Sequence, residues 1–166
     1  MNWLVSSLLK MAKLDAGAVE FGRERVKAND LITLALEPLQ ILLDVKSQSV
    51  EILSEAEIAC DKRWTAEALT NVLKNASEYS PQEGKIQIES GVNPICTWIS
   101  VTDSGAGIAK NEIPGLFRRF AASRSEKGYG IGLPLALAIL HSQNGDIEVE
   151  GGGNGKGATF TLKFYL

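Results

Sequence analysis

This chain of 166 residues carries only two cysteines, Cys60 and Cys96, and a single histidine, His141. Two cysteines cannot make the disulfide framework that holds small secreted domains together. Both lie in apolar or strand-like surroundings, so they read as reduced packing residues of a cytosolic protein. No apolar run approaches the roughly 20 residues needed to cross a bilayer. The N-terminus has neither the basic region nor the cleavage site of a secretory signal. A charge excess is missing too: 17 Lys and Arg against 20 Asp and Glu leave a net charge of −3. Well-mixed charges give no electrostatic footprint for nucleic acid or an anionic membrane. There is no internal repeat and no long low-complexity tract. What remains is one soluble domain, with 45% hydrophobic residues for its core, standing alone or as part of a larger membrane protein.

Periodicity places the elements. Residues 3–15 (WLVSSLLKMAKLD) set Leu4, Leu8, Met11 and Ala12 on one helical stripe, with Gly17 as a stop. Residues 18–27 read as an extended linker. Asp30 is placed to cap a helix running to about Val45, with Leu31, Leu34, Ala35, Leu39 and Leu42 as its buried stripe. Pro38 falls inside that span and should kink or divide it, because it removes a backbone donor. Segments 49–53 and 57–60 read as short strands. The next helix opens at Asp61 or Thr65 and reaches Tyr79, where Ser80-Pro81 ends it. KIQIES alternates with Ile86 and Ile88 inward, and TWISV forms a neighbouring strand across a loop at Asn93-Pro94. Residues 113–120 form a short apolar helix or turn, and Ile131 to Ser142 a helix. DIEVE and ATFTLKF close the chain as strands around GGGNGKG. The mixture predicts an α/β two-layer sandwich, one mixed and mostly antiparallel sheet covered by helices.

Three local patterns follow one another between Leu69 and Gly132. In LTNVLKNASEYS, Leu69, Val72, Leu73 and Ala76 form an apolar stripe, and Asn71 and Asn75 stand one turn apart on the opposite side with Glu67 and Glu78. A solvated polar face would explain them. Yet asparagine costs about 0.6 kcal/mol against alanine at each helical position, and its amide oxygen is a neutral hard ligand suited to Mg²⁺. In DSGAGI, Asp103 follows a strand and is placed to accept the exocyclic amine of adenine. Gly105 and Gly107 permit close approach there; an ordinary Asp-Ser-Gly turn is the plainer alternative. In GYGIGL, Gly128, Gly130 and Gly132 lead into a helix whose first amides favour phosphate. The pattern has no P-loop lysine and follows a loop, so it is not a dinucleotide fingerprint. A flexible linker or helix-packing glycines would account for it as well.

Taken in order, these residues resemble the ATP-binding domain of sensor histidine kinases, within the wider family of gyrase, mismatch-repair and heat-shock chaperone ATPases, whose domain is the Bergerat ATP-binding fold. LTNVLKNASEYS resembles the family's asparagine box, DSGAGI its first glycine box, LFRRF its phenylalanine box and GYGIGLPLALAIL its second glycine box. GKGATFTLKF is similar to the closing strand, and LLKMAKLDAGAVEF to the tail of the second dimerisation helix and the linker after it. The resemblance divides the chain into a helix tail (1–17), a linker (18–27) and a catalytic ATP-binding domain (28–166).

The resemblance implies roles at the matching positions. Asn75 binds Mg²⁺ and Asn71 supports the metal or phosphate. Tyr79 packs against adenine or ribose. Asp103 accepts from adenine, with Gly105 and Gly107 shaping that pocket. Phe117 and Phe120 anchor a lid, or pack in the core. Gly128, Gly130 and Gly132 shape the phosphate loop, and Thr159 lies near the adenine. Arg118, Arg119 and Arg124 are phosphate contacts or solvated surface. Hydrolytic relatives usually place a glutamate one turn before the metal asparagine, as general base for water. Here that residue is Asn71, which favours phosphoryl transfer over hydrolysis.

Some positions depart from the family. Glu78 stands where a lysine, arginine or histidine is common, and FAAS lacks the aromatic-arginine pair that often follows the phenylalanine box. His141 lies after the second glycine box, where a packing or turn histidine is usual, so the phosphoacceptor histidine is expected outside this chain. The expectation is an ATP-binding catalytic fragment of a two-component sensor histidine kinase, using ATP and Mg²⁺. It would act with a phosphoacceptor histidine domain and a response regulator, homodimeric in the full-length protein, on the cytoplasmic side of a bacterial membrane sensor, without nucleic acid. The alternatives are a serine kinase of the anti-sigma-factor type, against which residues 1–17 argue, and a non-catalytic nucleotide-binding interaction module.

Overall fold

Asn2 opens the first helix, α1 (Trp3–Asp15), by accepting the Leu4 N–H at 2.9 Å. The computed structural model describes residues 2–121, 130–152 and 156–166. Ser7 and Met11 are the buried residues of α1, and Trp3, Leu4 and Leu14 pack partly against the core. Leu8 and Ala12, expected on the buried stripe, are exposed. This helix has apolar residues on two faces, and periodicity alone cannot say which one meets the domain.

Strand β1 (Glu24–Lys27) lies within the span read as linker and pairs antiparallel with β3 (Glu57–Cys60). Helix α2 (Ala28–Leu36) starts two residues before Asp30, which sits in its first turn. Pro38 divides the following segment as its chemistry requires. A 3-10 turn covers Glu37–Leu39, and α3 (Gln40–Val45) continues after it. The break changes the buried face. Leu31, Ile32, Ala35, Leu39 and Leu43 are buried, while Leu34 and Leu42 are only half-buried.

Strand β2 (Ser49–Ile52) precedes β3, and α4 (Lys62–Tyr79) follows it. The Asp61 carboxylate caps α4 by accepting the Trp64 N–H at 3.0 Å. Strands β4 (Lys85–Val92) and β5 (Cys96–Thr102) form a hairpin. Helix α5 (Gly132–Ser142) and strands β6 (Gly145–Glu150) and β7 (Thr159–Tyr165) complete the chain. The main sheet runs β2-β4-β5-β7-β6. Only β2 and β4 are parallel; the other pairs are antiparallel. This is the α/β sandwich with a mixed, mostly antiparallel sheet. Strand β7 alternates strictly, with Phe160, Leu162 and Phe164 buried. They meet the buried residues of α2, α4 and α5, including Ile32, Leu69, Leu73, Leu135 and Ile139, in one core. Cys60 and Cys96 are buried and free, and burial pushes the Cys60 thiol up from its ordinary pKa.

Candidate functional site

The apolar stripe of α4 is wholly buried: Leu69, Val72, Leu73 and Ala76. One face of the same helix therefore fixes the direction of Asn71 and Asn75. Asn71 is itself buried, at 3% exposure, and its Nδ2 donates to the Glu67 carbonyl at 2.9 Å. That bond turns Oδ1 the other way. The Oδ1 atoms of Asn71 and Asn75 are both buried and accept no hydrogen bond among the described residues. A buried acceptor left unpaired costs about 1–3 kcal/mol. A cation or a ligand donor at this place would remove that cost, so the two amides fit a hard metal such as Mg²⁺.

The start of α5 faces Asn71. A Cβ at Gly132 would lie 3.0 Å from Asn71 Oδ1 and 3.4 Å from the Trp3 ring. The glycine lets the first turn of α5 approach α4. The Ile131 side chain makes no cap bond to that turn, and among the described residues no other side chain bonds its leading amides, which suit an anion.

The opposite wall is the turn after β5. Asp103 is 6% exposed, and its Oδ1 accepts the N–H groups of Gly105 at 2.9 Å and Ala158 at 3.1 Å. Two backbone bonds to one oxygen fix the carboxylate plane. The turn touches the end of α4, because a Cβ at Gly105 would run into the Tyr79 carbonyl. Asn75 is one helical turn before Tyr79, so the two asparagines and Asp103 border one region. Gly107 has φ +84, and a Cβ there would strike the Gly151 carbonyl.

Sequence reading did not single out Gly157. A Cβ on it would collide with the Asp103 carbonyl and lie 2.6 Å from Asp103 Oδ1. Its signal is the second glycine of GKG, just before the last strand. Thr159, expected near the adenine, is not brought to the Asp103 carboxylate. Its hydroxyl lies 2.9 Å from that of Thr102, on the face of β7 opposite Phe160. Ala158, one residue earlier, is the one beside Asp103.

Phe117 packs half-buried against the core. Phe120 is 64% exposed with φ +59, and its N–H donates to the Gly130 carbonyl at 2.8 Å. Gly130 has φ +67 and leaves no room for a Cβ against Ala121. Gly128 and Arg124 fall at 122–129, outside the described residues. Arg119 forms a two-pronged pair with Asp15 at the end of α1, both contacts 2.7 Å. Glu78 pairs with Lys74 at 2.9 Å, and the Lys74 ammonium sits 4.5 Å from the centre of the Trp3 ring. His141 contacts Asp146 at 3.2 Å on the surface, at the far end of α5 from Gly132.

Residues 60–166 match the family described as "Histidine kinase-, DNA gyrase B-, and HSP90-like ATPase". The chain belongs to this ATPase family. Every candidate site residue lies within the matched span, whereas α1, β1, α2, α3 and β2 precede it. "Sensor histidine kinase WalK" of Bacillus subtilis is 30% identical over 124 residues, 70% of this chain and 20% of that protein. Among solved structures, "Acinetobacter baumannii histidine kinase AdeS" superposes with a TM-score of 0.80 at 24% identity, covering 98% of this chain and 76% of that one. ShkA, solved full-length in complex with AMPPNP, gives a TM-score of 0.83 at 23% identity, covering 98% of this chain and 35% of that one. The chain spans less than a third of the length of the curated relatives it matches. Membership of an ATPase family implies that the domain binds ATP. No helix among the described residues is long and apolar enough to cross a membrane.

Proposed function

We propose that this chain is the ATP-binding catalytic part of a two-component sensor histidine kinase and presents the γ-phosphate of ATP to a histidine outside it. The observation that carries this reading is the pair of buried amide oxygens on α4 that have no partner among the described residues. Asn71 is neutral and cannot take a proton from water, so the site has no carboxylate base at the position where hydrolytic relatives carry one. An acceptor side chain needs positioning more than proton removal.

In this reading Asp103 accepts the adenine amine through its second oxygen while backbone amides hold the first. Gly105 and Gly107 leave room for the base, and Tyr79 packs beside it. Asn75 holds Mg²⁺ and Asn71 supports it or the phosphates. Bound Mg²⁺ neutralises charge on the phosphate oxygens. The first amides of α5 and the backbone at Gly128, Gly130 and Gly132 take the phosphate chain, with Phe117 seating the segment before it. Helix α1 is the tail of a dimerisation helix, residues 18–27 lead to the catalytic domain, and the full-length protein is a homodimeric membrane sensor serving a response regulator. Glu78 does not contribute a contact to phosphate; it engages Lys74 instead.

Radiolabelled ATP tests the reading. Alone, the chain should bind Mg-ATP and label nothing. Fused to the histidine-bearing dimerisation domain of a sensor kinase, it should place acid-labile phosphate on that histidine. Steady phosphate release by the chain alone, with no label on the fused histidine, would make it a hydrolase instead.

A further inference from the structure

The last turn of α4 ends in carbonyls that the helix itself cannot satisfy. Two residues from the segment after α3 take the Ser77 carbonyl of that turn and the carbonyls just beyond it. Lys46 Nζ donates to the Ser77 carbonyl at 2.5 Å and to the Ser80 carbonyl at 2.9 Å. Gln48 Nε2 reaches the same two carbonyls at 3.0 and 3.1 Å and that of Pro81 at 3.1 Å. Ser77 Oγ answers by donating to Gln48 Oε1 at 2.6 Å. The Lys46 carbonyl accepts the Glu83 N–H at 2.8 Å, which fixes the turn beyond the helix. An ammonium at a helix C-terminus also suits the negative end of its dipole. A simple cap needs one such donor; this helix end has two side chains whose donors share three carbonyls, the two amide hydrogens of Gln48 being divided among all three.

What that end touches gives the network its meaning. Ser80 Oγ accepts the Ser104 N–H at 3.1 Å, and Ser104 Oγ accepts the Lys85 N–H at 3.1 Å. Gly105 lies against the Tyr79 carbonyl so closely that a methyl group would not fit. Ser104 and Gly105 are the two residues after Asp103. The asparagine helix and the Asp103 turn are therefore joined at one seam, and Lys46 and Gln48 hold one side of it.

We propose that Lys46 and Gln48 are positioning residues for base recognition: they fix the end of α4, and through Ser80 and Tyr79 the orientation of the Asp103 turn. Neither contacts the nucleotide. The proposal rests on the reading of Asp103 as the adenine acceptor. Its consequence is selective. A misplaced Asp103 loses the bond to the adenine amine, whereas GTP presents a carbonyl at the equivalent place and has no such bond to lose.

The test is the ratio of Mg-ATP to Mg-GTP affinity by calorimetry, with thermal unfolding alongside. Lys46→Met should weaken ATP about tenfold and leave GTP within about twofold, as expected for one charge-assisted arrangement lost. Lys46→Arg should restore most of the ratio. Gln48→Ala provides a milder variant if Lys46→Met does not fold. A lower melting temperature with an unchanged ratio in Gln48→Ala or Lys46→Met would reduce both residues to a cap and overturn the proposal. Asp103→Asn separates the two readings. If it abolishes the ATP preference while Lys46→Met and Gln48→Ala keep it, only the positioning role fails. If Asp103→Asn itself keeps the preference, the adenine reading fails and the positioning role with it.

Discussion

Asp15 and Arg119 hold each other through two parallel contacts of 2.7 Å, joining the last residue of α1 to the segment that leads into residues 121–130. Arg119 holds the Asp15 carboxyl below the usual carboxylate range. A depressed carboxylate contributes stability above its unfolded pKa of about 3.9 and loses it as pH falls through the folded value. The α1 contact should therefore be intact from about pH 5 to 8 and loosen in stronger acid. Both side chains are about half exposed, so salt should loosen it too. Asp15→Asn should speed amide exchange across α1 at neutral pH while leaving exchange in α4 unchanged. Equal exchange in α1 of both proteins, at low and high salt, would show that the packing of Trp3 and Met11 alone fixes this helix.

Asn75→Ala separates function from stability. Its amide oxygen is buried without a partner among the described residues, so removing it relieves a cost. Alanine is also the better helix former by about 0.6 kcal/mol. The variant should be as stable as the parent or slightly more so. Its Mg-ATP affinity should fall at least about tenfold, since losses of that size follow even when groups behind a metal ligand are removed. Calorimetry with and without Mg²⁺ reads the effect. An unchanged Mg-dependent affinity would remove Asn75 from the metal role.

Much of this arrangement was legible in the sequence because local chemistry and global packing agree. The strands at 49–52 and 57–60, the stop at Ser80-Pro81 and the division at Pro38 all follow from propensity and sterics. The stripe of Leu69, Val72, Leu73 and Ala76 fixed the asparagine face without further help. What could not be read there depends on tertiary partners. Met11 is buried as its stripe requires, but Trp3 and Ser7, rather than Leu8 and Ala12, join it on the face toward the domain, because α5 and α4 lie on that side. Leu43 replaces Leu42 because the 3-10 turn changes the helical phase. The Lys46 and Gln48 bonds cross 29 to 34 residues of sequence and leave no local signature.

Gly157→Ala tests whether the last loop shapes the Asp103 wall. The added methyl meets the Asp103 carbonyl and carboxylate, backbone and buried side chain that cannot swing away. Overpacking of this kind costs about 1–3 kcal/mol. The denaturation midpoint should fall, and ATP affinity should fall in protein that is still folded. Gly17→Ala is the control, because no heavy atom lies within 4 Å of its added methyl, although its φ of +64 strains the backbone. That variant should lose stability without losing ATP affinity. A Gly157→Ala protein that binds ATP normally would mean that Asp103 can be displaced without consequence for the base.

Thr159→Val distinguishes the two faces of the sheet. The Thr159 hydroxyl pairs with Thr102 on the half-buried face, whereas their chain neighbours Ala158 and Asp103 are buried and joined through the Ala158 N–H. Valine keeps the shape and the β-branch and removes only the hydroxyl. Thr102 then loses a partner at a half-buried position, which should cost about 0.5–1.5 kcal/mol. ATP affinity should stay within about twofold of the parent, because neither hydroxyl faces the carboxylate. Asp103→Asn should do the reverse. The amide oxygen still accepts the Gly105 and Ala158 N–H groups, so the turn survives, but an amide NH₂ now opposes the adenine amine, donor against donor. A drop in ATP affinity for Thr159→Val at unchanged stability would put that hydroxyl in the pocket and reverse the assignment of the strand's faces.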